Sequence, residues 1–295
     1  MNKNEGLWLE YGALHSNSPD PASGAKVDYY ERNSKFMRGQ VNREKSLSSI
    51  VVVAFNEAIL LPRALASLDL ALSAVEEGKR PRVLVVDNCS TDATGEVAKF
   101  YGAEVINERK KGIGYARQAG LLATKDGESD ILTTDADAVV PEYWIVRLLQ
   151  LLNKPDAVFA YGRVKPKTDM KLPLLKQLEY SAYRALGFPV KTLRDFFRPE
   201  YIPYSSNLGF KREQALFHGG YDSALAHGED YDLMEKLKNE GRVVFDRQLT
   251  VLTSNRRSLG NNFFYRGYKA LTSNLSWMLH HDDGMKGYHY TDFRP

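Results

Sequence analysis

Asp130-Ile131-Leu132-Thr133-Thr134-Asp135-Ala136-Asp137 is the stretch on which the fold turns. Ile131 to Thr134 is a short apolar and β-branched run, the composition of a strand buried in a sheet. It ends on two acids separated by one residue. On extended backbone, residues two apart face the same side, so Asp135 and Asp137 converge while Ala136 turns away. Paired carboxylates of this kind suit Mg²⁺ or Mn²⁺, hard cations that commonly share one or two carboxylates with substrate phosphates. The plain alternative is a pair of loop aspartates capping the helix that follows. An EF-hand loop is disfavoured, because its glycine position falls at Val140.

Upstream, three more strands alternate with helices. Ser49 to Phe55 is a β-branched run with apolar residues on both faces, as a central parallel strand requires. Glu57 to Val75 then carries Leu61, Leu65, Leu68 and Leu72 at helical spacing, with Pro62 in the first turn. Arg82 to Val86 is a second strand ending at Asp87. Thr91 or Asp92 is placed to cap a helix running to Phe100, with Gly102 beyond its end. Glu104 to Ile106 is a third strand, and Gly114 to Thr124 a further helix.

Downstream, Pro141 opens a helix through Leu152, and Ala157 to Tyr161 is a strand. The alternation then loosens. Leu172 to Leu186 reads as a helix and Asp195 to Tyr204 as an irregular stretch. Asp230 to Glu240 is a helix ending at Gly241, followed by strands at Val243 to Asp246 and Leu249 to Thr253. The alternation predicts an α/β protein with a doubly wound, mostly parallel sheet, whose ligands sit beyond the carboxyl ends of its strands.

The chain has 295 residues, 43% hydrophobic and 26% charged, the balance of a soluble globular enzyme. A net charge of +3 gives no case for a nucleic-acid partner. Cys89 is the single cysteine, which excludes an intrachain disulfide and a cysteine-held zinc. A reducing, cytoplasmic setting fits that composition. No stretch reads as a signal peptide or spans a bilayer, so any membrane contact is expected to be peripheral, at the inner face.

Candidate binding residues gather at strand ends. Asn56 and Glu57 follow the first strand, and Asp87-Asn88-Cys89-Ser90-Thr91-Asp92 follows the second. Those letters can bind a base or ribose, and they equally make a turn and cap. Lys110-Lys111-Gly112-Ile113-Gly114 offers charge and pliable backbone at a helix start, suited to a phosphate or base edge. The dinucleotide fingerprint would need glycine at 117, where Arg117 stands, so an NAD site is disfavoured. Glu229-Asp230 opens a helix after Gly228. It reads either as acids favouring the helix dipole or as a general base. Arg256-Arg257 can contact a diphosphate.

Taken in order, these segments resemble family 2 glycosyltransferases of the GT-A fold. The likeness runs from Ser48 to Arg257. It includes Ile50 to Glu57, Val85 to Thr94, Gly112 to Gly120, the Asp135-Ala136-Asp137 triplet with Pro141 after it, Asn207 to Arg212, Gly219-Gly220-Tyr221-Asp222, and Gly228 to Leu233. The resemblance implies a nucleotide-binding half over 48–141 and an acceptor half over 142–258, between an accessory arm (1–47) and a C-terminal tail (259–295). It implies a donor site formed by Phe55, Glu57, Asp87, Asn88, Lys111, Gly112, Arg117, Asp135, Ala136, Asn207, Glu229, Arg256 and Arg257. Asp135 and Asp137 would hold the metal, Mn²⁺ or Mg²⁺, and Asp230 would be the base. The expected reaction is a single, inverting displacement from a nucleotide-diphosphate sugar to a saccharide or lipid-linked acceptor, with UDP ahead of GDP or dTDP. Asn88 stands where many members have a second aspartate. The Gln-x-x-Arg-Trp box and membrane helices of processive polymerases are absent, which favours a single-transfer enzyme.

Two rivals remain from the residues themselves. A haloacid dehalogenase-type phosphatase also uses Asp-x-Asp after a strand, but at the first strand of its fold, and three strand candidates precede Asp135. A non-catalytic nucleotide-sugar binder would need the donor residues and not Asp230. In the tail, Phe263, Phe264, Tyr265, Tyr268, Leu271, Leu275, Trp277 and Met278 interleave with Arg266 and Lys269. That pattern suits a helix against a membrane surface, a second copy of the chain or the protein's own core.

Overall fold

The structure, a computed structural model, describes residues 47–167, 203–225 and 228–254. The helix expected at Leu172–Leu186, the arginines Arg256 and Arg257, the N-terminal arm and the tail lie outside these residues.

Four strands open the fold: β1 (Ser48–Ala54), β2 (Arg82–Asn88), β3 (Glu104–Glu108) and β4 (Asp130–Asp135). They pair in parallel, β1 between β2 and β4, with β3 outside β2. The helices α1 (Leu61–Ser73), α2 (Thr94–Phe100) and α3 (Ile113–Leu122) connect them. All of β1 is buried. Its alternate residues serve two cores: Ile50, Val52 and Ala54 pack with Leu61, Leu65 and Trp144, while Val51 and Val53 pack with Ala116, Phe210 and Leu233. A two-residue period inside a sheet covered on both faces produces this division.

The second half adds β5 (Ala138–Val139), α4 (Trp144–Leu152), β6 (Ala157–Lys167), β7 (Leu208–Lys211), α5 (Arg212–Phe217), α6 (Glu229–Leu237) and β8 (Arg242–Ser254). The sheet order is β3-β2-β1-β4-β7-β6-β8-β5. β7 runs antiparallel between β4 and β6, and β5 runs antiparallel to β8. The sheet is therefore mostly parallel, with two reversed strands.

Three local details differ from the sequence reading. The two strands expected at 243–246 and 249–253 are one strand, β8. Its register against β6 jumps from Gly162↔Asp246 to Arg163↔Thr250, so Arg247, Gln248 and Leu249 form a bulge. Helix α2 starts at Thr94 without a side-chain cap. Asp92 instead accepts hydrogen bonds from the Thr94 amide (3.0 Å) and, across the loops, the Ala58 amide (3.1 Å). The segment Asn207–Arg212 contains a strand, β7, because its start must cross back beside β4.

That reversal matters for the site. β7 enters the sheet where β4 leaves it, so the turn Ser205–Asn207 lies against the carboxyl end of β4. Thr133 and Thr134 donate from their hydroxyls to the Ser205 and Ser206 carbonyls, at 2.8 and 3.0 Å.

Candidate active site

The exits of β1, β2 and β4 share one end of the sheet, and the loops behind them are laced together. Asn56, held at φ 53°, accepts the Thr91 amide on its side-chain oxygen (2.8 Å), and its own amide donates to Ser90 Oγ (3.0 Å). The Glu57 amide donates to Thr94 Oγ1 (2.8 Å), and Glu57 is buried. Asp87 accepts the Ser90 amide on Oδ1 (3.0 Å). Lys111 Nζ sits 4.5 Å from the centre of the Phe55 ring, a cation–π contact.

Asp135 is a quarter exposed and held from two sides: Oδ1 by Arg117 Nη2 (2.5 Å) and Oδ2 by Ser206 Oγ (2.6 Å). Ala136 is buried, while Asp137 is half-buried. Arg117 is a guanidinium with no exposed surface. Its Nε lies 3.9 Å from Glu229 Oε1, and neither Nε nor Nη1 has a hydrogen-bond partner. Burial alone would depress such a cation, but the charges of Asp135 and Asp230 hold it protonated well above its ordinary value.

Glu229 and Asp230 open α6, both buried, behind Gly228 at φ 78°. Desolvation raises the Glu229 carboxyl, opposed by Arg117. Asp230 is raised further: burial is the largest cause and repulsion by Glu229 the next, with Arg117 pulling the other way. Asp230 Oδ1 has no hydrogen-bond partner. Buried Tyr221 belongs to the same electrostatic group, its phenol raised first by burial and then by Asp230.

Helix α3 joins these parts. Arg117 reaches Asp135 and Glu229, while the next residue, Gln118, accepts the Tyr221 amide (2.8 Å) and donates to the Gly219 carbonyl (3.1 Å). Gly219 and Gly220 both have positive φ, and the loop they form wraps the Gln118 amide. Four acids or cations from three separate segments (Arg117, Asp135, Glu229, Asp230) thus share one electrostatic field. Perturbed, buried groups clustered in this way mark functional sites.

Some expected site residues do other work. Asn207 is fully buried. Its amide donates to the Arg163 and Leu249 carbonyls (2.8 and 3.1 Å) and accepts Trp144 Nε1 (2.9 Å), tying β6, β8 and α4 to the start of β7. The Asn88 amide is spent on the loop before α3, as described below. Ser205, Ser206, Gln118 and Tyr221 were not singled out from the sequence for the roles they take here. Gln118 carries no signal of its own in the sequence, and serines in a short turn carry no spacing signal.

The glycosyl transferase family 2 model matches residues 49–217, more than half of the chain. The chain belongs to glycosyl transferase family 2. Among relatives of this family member is the succinoglycan biosynthesis protein ExoO of Rhizobium meliloti strain 1021, 28% identical over 197 residues, covering 63% of this chain and 54% of the relative. Another is a dolichyl-phosphate hexose transferase of Haloferax volcanii, 32% identical over 116 residues, covering 39% and 47%. The chain spans about half the length of the curated relatives it matches. Among solved structures, a Pyrobaculum calidifontis mannosyltransferase in complex with GDP-Man and Mn²⁺ superposes with a TM-score of 0.55 at 17% identity, covering 97% of this chain and 77% of that one. Glucosyl-3-phosphoglycerate synthase from Mycobacterium tuberculosis, with Mn²⁺ and UDP-glucose, gives 0.51 at 17% identity, covering 82% and 81%. These likenesses show the fold of this family 2 member to be GT-A.

Proposed function

We propose that this chain transfers a sugar from a nucleoside diphosphate sugar to an acceptor hydroxyl, in one metal-dependent, inverting displacement with Asp230 as the base. The observation that carries the reading is the placement of Asp230. It is a buried carboxyl with an unpartnered oxygen, within the field of the guanidinium that pairs with the aspartate ending β4.

The residues fit a hard divalent cation. Among the described residues no group of three or more His, Cys, Asp or Glu side chains can hold a metal ion by itself. Two carboxylates at a strand exit are what Mn²⁺ or Mg²⁺ requires when the substrate's phosphates complete the shell. Asp135 and Asp137 would hold the ion. When bound, it supplies neutralising charge to the departing diphosphate. Asp230 takes the proton from the acceptor hydroxyl as that oxygen attacks the anomeric carbon. The bond from that carbon to the diphosphate oxygen breaks, and the nucleoside diphosphate leaves. Arg117 favours the ionised Asp230 that the proton transfer needs and holds Asp135 in place.

The loops around Phe55, Asp87 and Lys111 form the base and phosphate side of the site. A saccharide or lipid-linked hydroxyl fits the acceptor role, in keeping with relatives that serve succinoglycan biosynthesis and dolichyl-phosphate hexose transfer. Solved structures of similar fold hold GDP-mannose or UDP-glucose, and a UDP-sugar is the first donor to try. Neither rival reading gains support: three strands precede β4, and the buried acid pair has no use in a simple binder.

The test is a thermal-shift screen of UDP-, GDP- and dTDP-sugars with Mn²⁺, followed by transfer assays. A bound donor raises the melting temperature. Asp230→Asn is expected to keep that shift and to lose transfer by a factor of about 10² or more. Unchanged turnover would remove Asp230 from the mechanism.

A further inference from the structure

We propose that Asn88 is a positioning residue that sets the donor-binding loop, and that it does not read the nucleotide base itself. The inference rests on the donor-site reading above. Asn88 ends β2 opposite Glu108, the last residue of β3, and is 6% exposed. Its amide nitrogen donates to the Lys110 carbonyl (2.7 Å) and the Glu108 carbonyl (3.4 Å), and its amide oxygen accepts the Gly112 amide (2.8 Å). Both donors and an acceptor are thus used on one stretch of backbone. Next to it, Cys89, at φ 64°, directs Sγ at the Glu108 and Arg109 carbonyls (3.3 and 3.1 Å). The Lys110 amide is taken by Glu108 Oε1 (2.6 Å).

The result is a loop whose backbone polar groups are satisfied inward and whose charged side chains project outward. Lys111 is exposed, and its ammonium lies over Phe55 at the exit of β1. Lys110 lies over Tyr115 in the first turn of α3, 5.5 Å from the ring centre. Asn88 therefore fixes where the Lys111 charge sits relative to the β1 exit. Nucleoside diphosphates are the ligand class that such a charge, beside an aromatic face, would meet.

Chemistry distinguishes asparagine from its isostere here. An aspartate at 88 would still accept the Gly112 amide. It would also place a carboxylate oxygen against two carbonyl oxygens where asparagine places two N–H groups. Only the donor half of the clamp would break.

Affinities of UDP, GDP and dTDP with Mn²⁺, measured by calorimetry on the full chain, test the inference without needing an acceptor. Asn88→Asp and Asn88→Ala are each expected to weaken every nucleotide that binds the unaltered protein by a common factor of about ten, with circular dichroism reporting an intact fold. Lys111→Ala should weaken binding similarly. The double variant Asn88→Asp/Lys111→Ala should bind no worse than about the weaker single variant, because both changes remove the same interaction. A changed ranking of the three nucleotides would mean that Asn88 touches the base and would overturn the proposal. So would additive losses in the double variant. If the unaltered protein binds and Asn88→Asp binds equally well, this inference alone fails. If the unaltered protein binds none of the three, the donor-site reading fails and takes this inference with it.

Discussion

Asp230 shows how a site can be bought with stability. Its carboxyl is pushed up from 3.8 to about 8, chiefly by burial and then by Glu229. Because the folded-state value is raised, the native protein holds a proton that the unfolded chain releases between about pH 4 and pH 8. Stability from this group is therefore full below pH 4 and falls as pH rises through that window. Asp230→Asn cannot ionise, so it should melt several degrees above the unaltered protein at pH 8 and show a smaller difference at pH 5. Differential scanning calorimetry at the two pH values checks this; an equal difference at both would contradict it. Asp137→Ala makes a separate prediction: the extra thermal stabilisation that Mn²⁺ gives a nucleotide-bound protein should fall by most of its size, as fluorescence melting with and without EDTA would show. The two aspartates of the triplet were legible as acids at a strand exit, but β4 ends at Asp135 and Ala136-Asp137 form a turn, so the extended spacing expected from the sequence does not apply between them. Arg117 was legible as a residue of interest, but not as a fully buried cation. Its partners Glu229 and Asp230 lie more than a hundred positions away, where no local spacing points to them.

At the scale of elements, α3 acts as a splint. Gly120 packs on Val51 of β1, Arg117 and Gln118 divide between the two halves of the site, and Gly114 lies against the loop leading to α6. A Cβ on Gly114 would fall 2.7 Å from the Asp222 carbonyl oxygen and 3.0 Å from that of Leu225. In an isolated helix Gly→Ala gains about 1 kcal/mol. Here the clash is with backbone, so Gly114→Ala should instead lose about 1–3 kcal/mol. Urea unfolding measures the sign; a gain in stability would show the loop yielding freely. The strands β1, β2 and β4 were readable because each is an unbroken apolar or β-branched run. β7 was missed: four residues beginning Leu208-Gly209 carry little alternation, and their place beside β4 is a tertiary fact. β8 was split in reading because Arg247-Gln248 interrupts its apolar pattern, and a bulge absorbs those residues without ending the strand.

Across the whole molecule the sheet has two unlike ends. At one, Arg82 pairs with Glu128 and Glu104, Ser49 donates to Glu128, and Lys211 pairs with Asp130, all partners within the fold. At the other, the charges of Arg117, Asp135, Glu229 and Asp230 remain only partly compensated. The first end holds the fold through paired charge, and the second carries the buried, perturbed acids of the candidate site. The described sheet also has two unlike margins: β5, only two residues long, and β3, whose Glu104, Asn107 and Glu108 flank its two apolar residues Val105 and Ile106. An open margin is a template for a strand from another molecule, and brevity or charge denies it that use. Asn107→Val would extend the apolar run at the β3 margin to three residues, and light scattering should then grow with protein concentration while the unaltered chain stays flat. On this account the polar letters of a marginal strand act between molecules and not within the core.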